Sequence, residues 1–244
     1  NWNSTKKSDP RDDVVRLKRT NPQNQTTTTP QHHLTMSDRP VLIMFDIDGT
    51  LVHSDRRDSS CFAETYEHIY GVSFPTLDWK HFPHVTDHVI FGTCIRQHFQ
   101  RDYTPEEAQT FQQHYMELLR DRRRCAPEAF CEVPGARALL ETLQARDDIA
   151  LSIATGGWRE PAHIKLGHIG IRAEELPVVG GDFKETRDDI LREAITATGR
   201  KAEDFSRIVY LGDAVWDVTT THRLGFDFVG IRHRGDVEVL LESG

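Results

Sequence analysis

From residue 41 onward the chain alternates short, nearly unbroken apolar runs with segments whose apolar residues recur every three or four positions. The runs are VLIMF (41–45), IALSIA (149–154), PVVGG (177–181), RIVYLG (207–212) and FDFVGI (226–231). Apolar runs of this length, without polar alternation, predict strands covered on both faces, as in parallel sheets. Between them, GARALLETLQAR (135–146) places Ala136, Leu139, Leu140 and Leu143 on one helical face. TRDDILREAITATG (186–199) opens on an N-cap threonine, Thr186, and closes on Gly199. Strand and helix in alternation predict a doubly wound, Rossmann-like α/β domain around a parallel sheet.

Two stretches break the alternation. Residues 55–130 hold no strand run and read as a helical insertion after the first strand. Its clearest helix starts with TPEE at Thr104, a capping box with proline at the first helical position, and carries Ala108, Phe111, Tyr115 and Leu118 on one face. The basic RDRRR (120–124) falls at its C-terminal end, where the helix dipole favours cations, and reads as a solvated helix end. Residues 1–38 are polar, with low-complexity NPQNQTTTTPQHH at 21–33, and are expected to be disordered. The first residue is Asn1, and Met36 lies just ahead of the first strand, so an upstream extension without catalytic importance is expected. The expected organisation is therefore an extension (1–38), a core domain (39–54 and 131–244) and a helical cap domain (55–130).

Composition narrows the partners. With 30 Lys and Arg against 38 Asp and Glu, the net charge is −8, and the charges are mixed along the chain. No basic stripe suited to nucleic acid results, so none is expected as a partner. No 18-residue apolar span occurs, so no membrane association is expected either. The four cysteines form no C-x-x-C pair, which points to a soluble protein of a reducing, cytoplasmic setting. A monomer or homodimer is expected. His81, His84 and His88 are spaced to share a helix face, but Pro83 interrupts that helix, so zinc is not expected there.

In open α/β sheets, ligands bind beyond the carboxyl ends of the strands. After the first strand come Asp46, Asp48 and Thr50; after the second, Thr155, Gly156 and Gly157; after RIVYL, the turn GDAVWD supplies Asp213 and Asp217. Four carboxylates gathered at strand ends repel one another unless a cation sits among them. Oxygen donors without histidine or cysteine favour Mg2+.

DIDGTL (46–51), SIATG (152–156) and LGDAVWD (211–217) resemble the first, second and fourth motifs of the haloacid dehalogenase (HAD) superfamily over about residues 40–235. The insertion after the first motif is similar to that superfamily's helical C1 cap. The resemblance implies Asp46 as nucleophile, forming an aspartyl-phosphate, and Asp48 as the acid that protonates the leaving oxygen and then activates water. It implies Mg2+ held by Asp46, the backbone carbonyl of Asp48 and Asp213, with Asp217 as a further ligand. It also implies that Thr155 and the Gly156 amide hold the phosphoryl oxygens. Dehalogenases, phosphonatases and P-type ATPases of the superfamily carry Tyr, Ala or Thr where this chain has Asp48, so the pair favours a phosphatase or phosphomutase.

The third motif departs from the pattern. Family members place a lysine at the start of the helix before the fourth motif; the corresponding position here is near Glu185, flanked by Lys184 and Arg187. Arg187 is expected in the lysine's role, with Lys184 close behind, whereas Lys165 looks too far from a strand end to serve. Specificity is expected from the loop DWKHFPHVTDH (78–88), with Trp79, Lys80, His84, Thr86 and Asp87 as candidates. The function expected is Mg2+-dependent hydrolysis of a small phosphorylated metabolite. A β-phosphoglucomutase-like sugar phosphomutase and a non-catalytic regulatory protein on the same scaffold are the alternatives.

Overall fold

In a computed structural model, which describes residues 39–231 and Leu240, the five apolar runs pair into one sheet. The expected disorder of residues 1–38 lies outside the described residues. In chain order the elements are β1 (Val41–Phe45), β2 (Val52–His53), α1 (Asp55–Tyr70), α2 (Asp87–Phe99), α3 (Pro105–Cys125), β3 (Cys131–Glu132) and α4 (Ala136–Gln144). There follow β4 (Ile149–Ala154), α5 (Arg159–His168), β5 (Val178–Val179), α6 (Arg187–Thr196), β6 (Arg207–Gly212), α7 (Val215–Leu224) and β7 (Asp227–Gly230).

The sheet order is β5-β4-β1-β6-β7, parallel throughout. Phe45 of β1 is in register with Ile153 of β4 on one side and Leu211 of β6 on the other. The carboxyl ends of these three strands therefore lie side by side, and the residues that follow them converge. Successive side chains of β1 point to opposite faces. Leu42 and Met44 pack with Ile190, Leu191, Ala194 and Ile195 of α6, while Phe45 joins Leu140 of α4 and Leu166 of α5 in a second core.

The helices between β2 and β3 leave and rejoin this core through a two-residue antiparallel ribbon, Val52 opposite Glu132 and His53 opposite Cys131. Their own core is aromatic and runs into the sheet's through Trp158, which stacks on Phe62 with ring centroids 5.6 Å apart. The capping box at Thr104 forms as expected: its hydroxyl accepts from the Glu107 amide (3.2 Å), and the Glu107 carboxylate accepts from the Thr104 amide (2.9 Å). The buried stripe of α3 is Ala108, Phe111, Tyr115 and Leu119, with Leu118 at its edge. Leu139 of α4 is likewise 41% exposed beside buried Ala136 and Leu140. At about 100° per residue Leu118 falls roughly 65° and Leu139 roughly 80° off the centre line of the buried residues of its helix. The basic end of α3 is less free than expected: Arg122 pairs with Glu64, and Arg123 donates to the Ile164 carbonyl of α5 (3.1 Å). Among the described residues, no helix is long and apolar enough to cross a membrane.

Candidate active site

Asp46 follows β1 directly and is 6% exposed, its amide donating to the Leu211 carbonyl (2.9 Å). The turn beyond it depends on Gly49, whose φ of +81° suits glycine and whose missing Cβ leaves room for the Asp213 carboxylate. Asp213 follows β6, and Asp217 lies on the first turn of α7, where its Oδ2 accepts from the Ala214 amide (3.2 Å). One carboxylate oxygen from each of Asp46, Asp213 and Asp217 lies within 4.8 Å of the others.

The cation among them is Arg187, at the start of α6 behind its N-cap Thr186. Its Nη2 is 2.6 Å from Asp217 Oδ1 and 3.4 Å from Asp46 Oδ1, and donates to the Tyr210 hydroxyl at 3.0 Å. The Asp217 contact lacks the direction of a hydrogen bond, so that fully buried oxygen has a charged neighbour but no donor aimed at it. Burial, and next Asp217, push the Asp46 carboxyl well above the usual carboxylate range, although Arg187 pulls it down. Burial raises Asp217 too, against the pull of Arg187. Asp46 and Asp217 thus share one guanidinium. The donor set is all oxygen, and one buried oxygen is left without a hydrogen bond, so these residues fit a hard divalent cation such as Mg2+.

At the end of β4, Thr155 is buried and its hydroxyl accepts from the Gly157 amide (3.2 Å). A Cβ on Gly156 would meet both Arg187 Nη1 and the Val85 carbonyl at 2.5 Å, so only glycine fits between strand end, guanidinium and insertion. The insertion reaches this loop directly: the Asp87 amide donates to the Gly156 carbonyl (2.9 Å), and Asp87 Oδ2 accepts from the Trp158 amide (2.8 Å). Burial, then the neighbouring Asp58, push the Asp87 carboxyl up to about 8.

Lys184 is not brought to Asp46. Its ammonium lies along α6, 3.1 Å from Glu193 Oε2, and only its carbonyl joins the network, accepting from the Thr86 hydroxyl (3.1 Å). The expectation that Lys165 lies too far away is overturned. Lys165 is 2% exposed, with Nζ 2.6 Å from Asp48 Oδ2 and 3.1 Å from Asp58 Oδ1. Its long stem carries the charge from the buried face of α5 to the loop after β1. Burial pulls that ammonium's pKa down, but Asp48 and Asp58 outweigh it and hold it above the ordinary lysine value. The Ser54 hydroxyl donates to Asp48 Oδ1, and the Tyr115 hydroxyl donates to Asp58 Oδ1. Sequence reasoning missed Ser54, Asp58 and Tyr115, which reach the site from the neck and the insertion.

Asp46, Asp48, Thr155, Gly156, Arg187 and Asp213 line one cavity of about 630 Å3. The insertion supplies its other wall, with Asp58, Trp79, Lys80, Asp87 and Ile90. Of the loop candidates, Trp79, Lys80 and Asp87 face this cavity, Thr86 is fully buried as the N-cap of α2, and His84 is exposed on the surface.

A family profile described as haloacid dehalogenase-like hydrolase matches residues 43–231. The chain is 24% identical over 210 residues to glycerol-1-phosphate phosphohydrolase 2 of Saccharomyces cerevisiae, covering 82% of this chain and 78% of the yeast protein. A solved hydrolase from Pseudomonas syringae superposes with a TM-score of 0.62 at 21% identity, covering 83% of this chain and 90% of that one. CbbY from Rhodobacter sphaeroides in complex with phosphate superposes with a TM-score of 0.58 at 18% identity, over 80% of this chain and 90% of that one. At these identities the likeness to the solved structures is one of fold.

Proposed function

The chain belongs to the haloacid dehalogenase-like hydrolases, and on that premise we propose that it is a Mg2+-dependent phosphatase of a small phosphomonoester, acting through an aspartyl-phosphate on Asp46. The observation that carries this reading is the pairing of buried Asp46 with Asp48 at one cavity, beside the Arg187 guanidinium and the Thr155–Gly156 loop.

An Asp46 carboxylate oxygen attacks phosphorus, and the bond from phosphorus to the leaving oxygen breaks. Asp48 gives that oxygen its proton, so the product departs as an alcohol instead of an alkoxide. The Asp48 carboxylate then takes a proton from a water attacking the same phosphorus, and the Asp46 ester breaks to release inorganic phosphate. Arg187, the Thr155 hydroxyl and the Gly156 amide would hold the phosphoryl oxygens in this reading. Asp46, Asp213 and the backbone carbonyl of Asp48 would hold Mg2+, with Asp217 behind them. When bound, the cation offsets the negative charge that otherwise keeps a carboxylate from a phosphate.

The helical insertion acts in this reading as a cap, closing the cavity with Trp79, Lys80 and Asp87 and excluding large substrates. A cavity of about 630 Å3 suits a small metabolite. Glycerol phosphate, the substrate in the yeast relative's name, is the first to test. Release of inorganic phosphate from a panel of small esters, with Mg2+ or with EDTA, is the direct assay. Turnover should require Mg2+ and vanish in Asp46→Asn; equal activity of wild type and Asp46→Asn would sink the proposal. Conversion of hexose 1-phosphates without phosphate release would move the reading to a phosphomutase.

A further inference from the structure

An ammonium taken out of water is costly unless oxygens surround it. Lys165 meets that condition with one carboxylate from each side of the cavity. Asp48 follows β1, whereas Asp58 sits on α1 of the insertion, and Nζ lies 2.6 Å from the first and 3.1 Å from the second. The bonds around the pair are complementary. The Ser54 hydroxyl takes Asp48 Oδ1 and Lys165 takes Oδ2, so each oxygen of Asp48 has its own donor and the plane of the carboxylate is fixed. The Tyr115 hydroxyl of α3 donates to the same Asp58 oxygen that Lys165 faces, which pins Asp58 from the insertion side. The cation beside Asp46 is Arg187, so Lys165 is the one that faces Asp48.

We propose that Lys165, braced by Asp58, is a positioning residue for Asp48, holding its carboxyl group where, in its acid form, it gives its proton to the leaving oxygen and becomes the carboxylate, with the brace complete only while the insertion is seated. The inference rests on the phosphatase reading of Asp46 and Asp48. It has a consequence that a purely structural ion pair lacks. As the phosphorus–oxygen bond breaks, an alkyl leaving group needs the Asp48 proton, whereas p-nitrophenolate leaves without one. Misplacing Asp48 should therefore penalise alkyl esters selectively, while a loosened cavity or a poorly seated insertion penalises both.

The test compares kcat/KM, which reports transfer to Asp46, for p-nitrophenyl phosphate and for the alkyl phosphate turned over fastest, using the full chain with Mg2+. Lys165→Met should lose on the order of 100-fold on the alkyl ester and less than about tenfold on the aryl ester, in line with the rate contribution of general acid catalysis. Asp58→Asn keeps volume and leaves Lys165 beside Asp48, and should lose roughly tenfold on the alkyl ester with a smaller aryl loss. Circular dichroism and thermal melting establish that each variant is folded; if Lys165→Met is not, the ratio in Asp58→Asn decides. Equal losses on the two esters, or none, in a folded variant overturn the clamp and leave the phosphatase reading standing. A folded wild type that hydrolyses neither ester overturns both.

Discussion

Replacing Asp87 by asparagine should flatten the dependence of stability on pH. The Asp87 carboxylate is held against the Gly156–Trp158 loop, accepting from the Trp158 amide at 2.8 Å. Burial, and next Asp58, raise it from an ordinary 3.8 to about 8, against the downward pull of Lys165, whose ammonium lies between Asp48 and Asp58. In the unfolded chain the group ionises near its ordinary value, so between about pH 4 and pH 8 folding takes up a proton. Stability is therefore greatest on the acid side of this window, falls as the pH rises through it, and levels off above the folded-state value. One proton corresponds to about 1.4 kcal/mol per pH unit, hence roughly 2.7 kcal/mol between pH 5 and pH 7. For a chain of this size that amounts to about 5–11 °C in Tm. Asparagine can still accept from the Trp158 amide through Oδ1 but binds no proton. The Tm difference between Asp87→Asn and wild type should accordingly shift by this amount in the variant's favour from pH 5 to pH 7. Thermal melts at matched ionic strength from pH 5 to pH 9 measure it directly. A difference that stays constant across that range would refute the claim that folded Asp87 is protonated at neutral pH.

Arg187→Met leaves Asp46 and Asp217 buried without their cation and should cost roughly 3–5 kcal/mol in urea unfolding, with Mg2+ raising the variant's Tm more than the wild type's; wild-type stability without metal would contradict the arrangement. Gly49→Ala forces a Cβ into a φ of +81° and against the Asp213 carboxylate, so a loss of about 1–3 kcal/mol should accompany weaker Mg2+ binding in titration calorimetry. Thr104→Ala removes the capping box of α3, far from the cavity, and should lower stability by about 1 kcal/mol with kcat/KM unchanged.

What could be read in the sequence is what the backbone alone determines. The apolar runs at 41–45, 149–154 and 207–212 become β1, β4 and β6 because strands buried on both faces leave no polar positions to confuse their period. Once those three strands are neighbours, Asp46, Thr155 and Asp213 must converge, since each follows its strand within a residue or two. Side chains that arrive from helices are a different matter. Lys184 and Arg187 both stand within three residues of the start of α6, yet one turns to Glu193 and the other to Asp46 and Asp217. That choice is made by the packing of α6 on the sheet, which local sequence does not encode.

Lys165 is the sharper case, because half of its story was legible. Ala162, Lys165, Leu166 and Ile169 follow the i, i+3, i+4, i+7 spacing of a buried helical face, so a lysine stands in the middle of an apolar stripe. Whatever its distance along the chain from a strand end, its helical phase assigns it to the interior. A buried ammonium must then find carboxylates, and the loop after β1 offers Asp48. The second partner could not be read the same way. Asp58 comes from α1, and it meets Lys165 where Phe62, one turn further along that helix, stacks on Trp158 at the start of α5. Phe62 and Asp58 thus stand one turn apart on the helix that packs against α5, alongside the Asp87 and Arg123 contacts that also join the insertion to the core. On this geometry Phe62→Ala, which removes an aromatic wall of the cavity together with its ring contacts to Trp158 and Tyr115, should lower kcat/KM on alkyl and aryl phosphates alike, whereas an alkyl-selective loss would place its effect on Asp48.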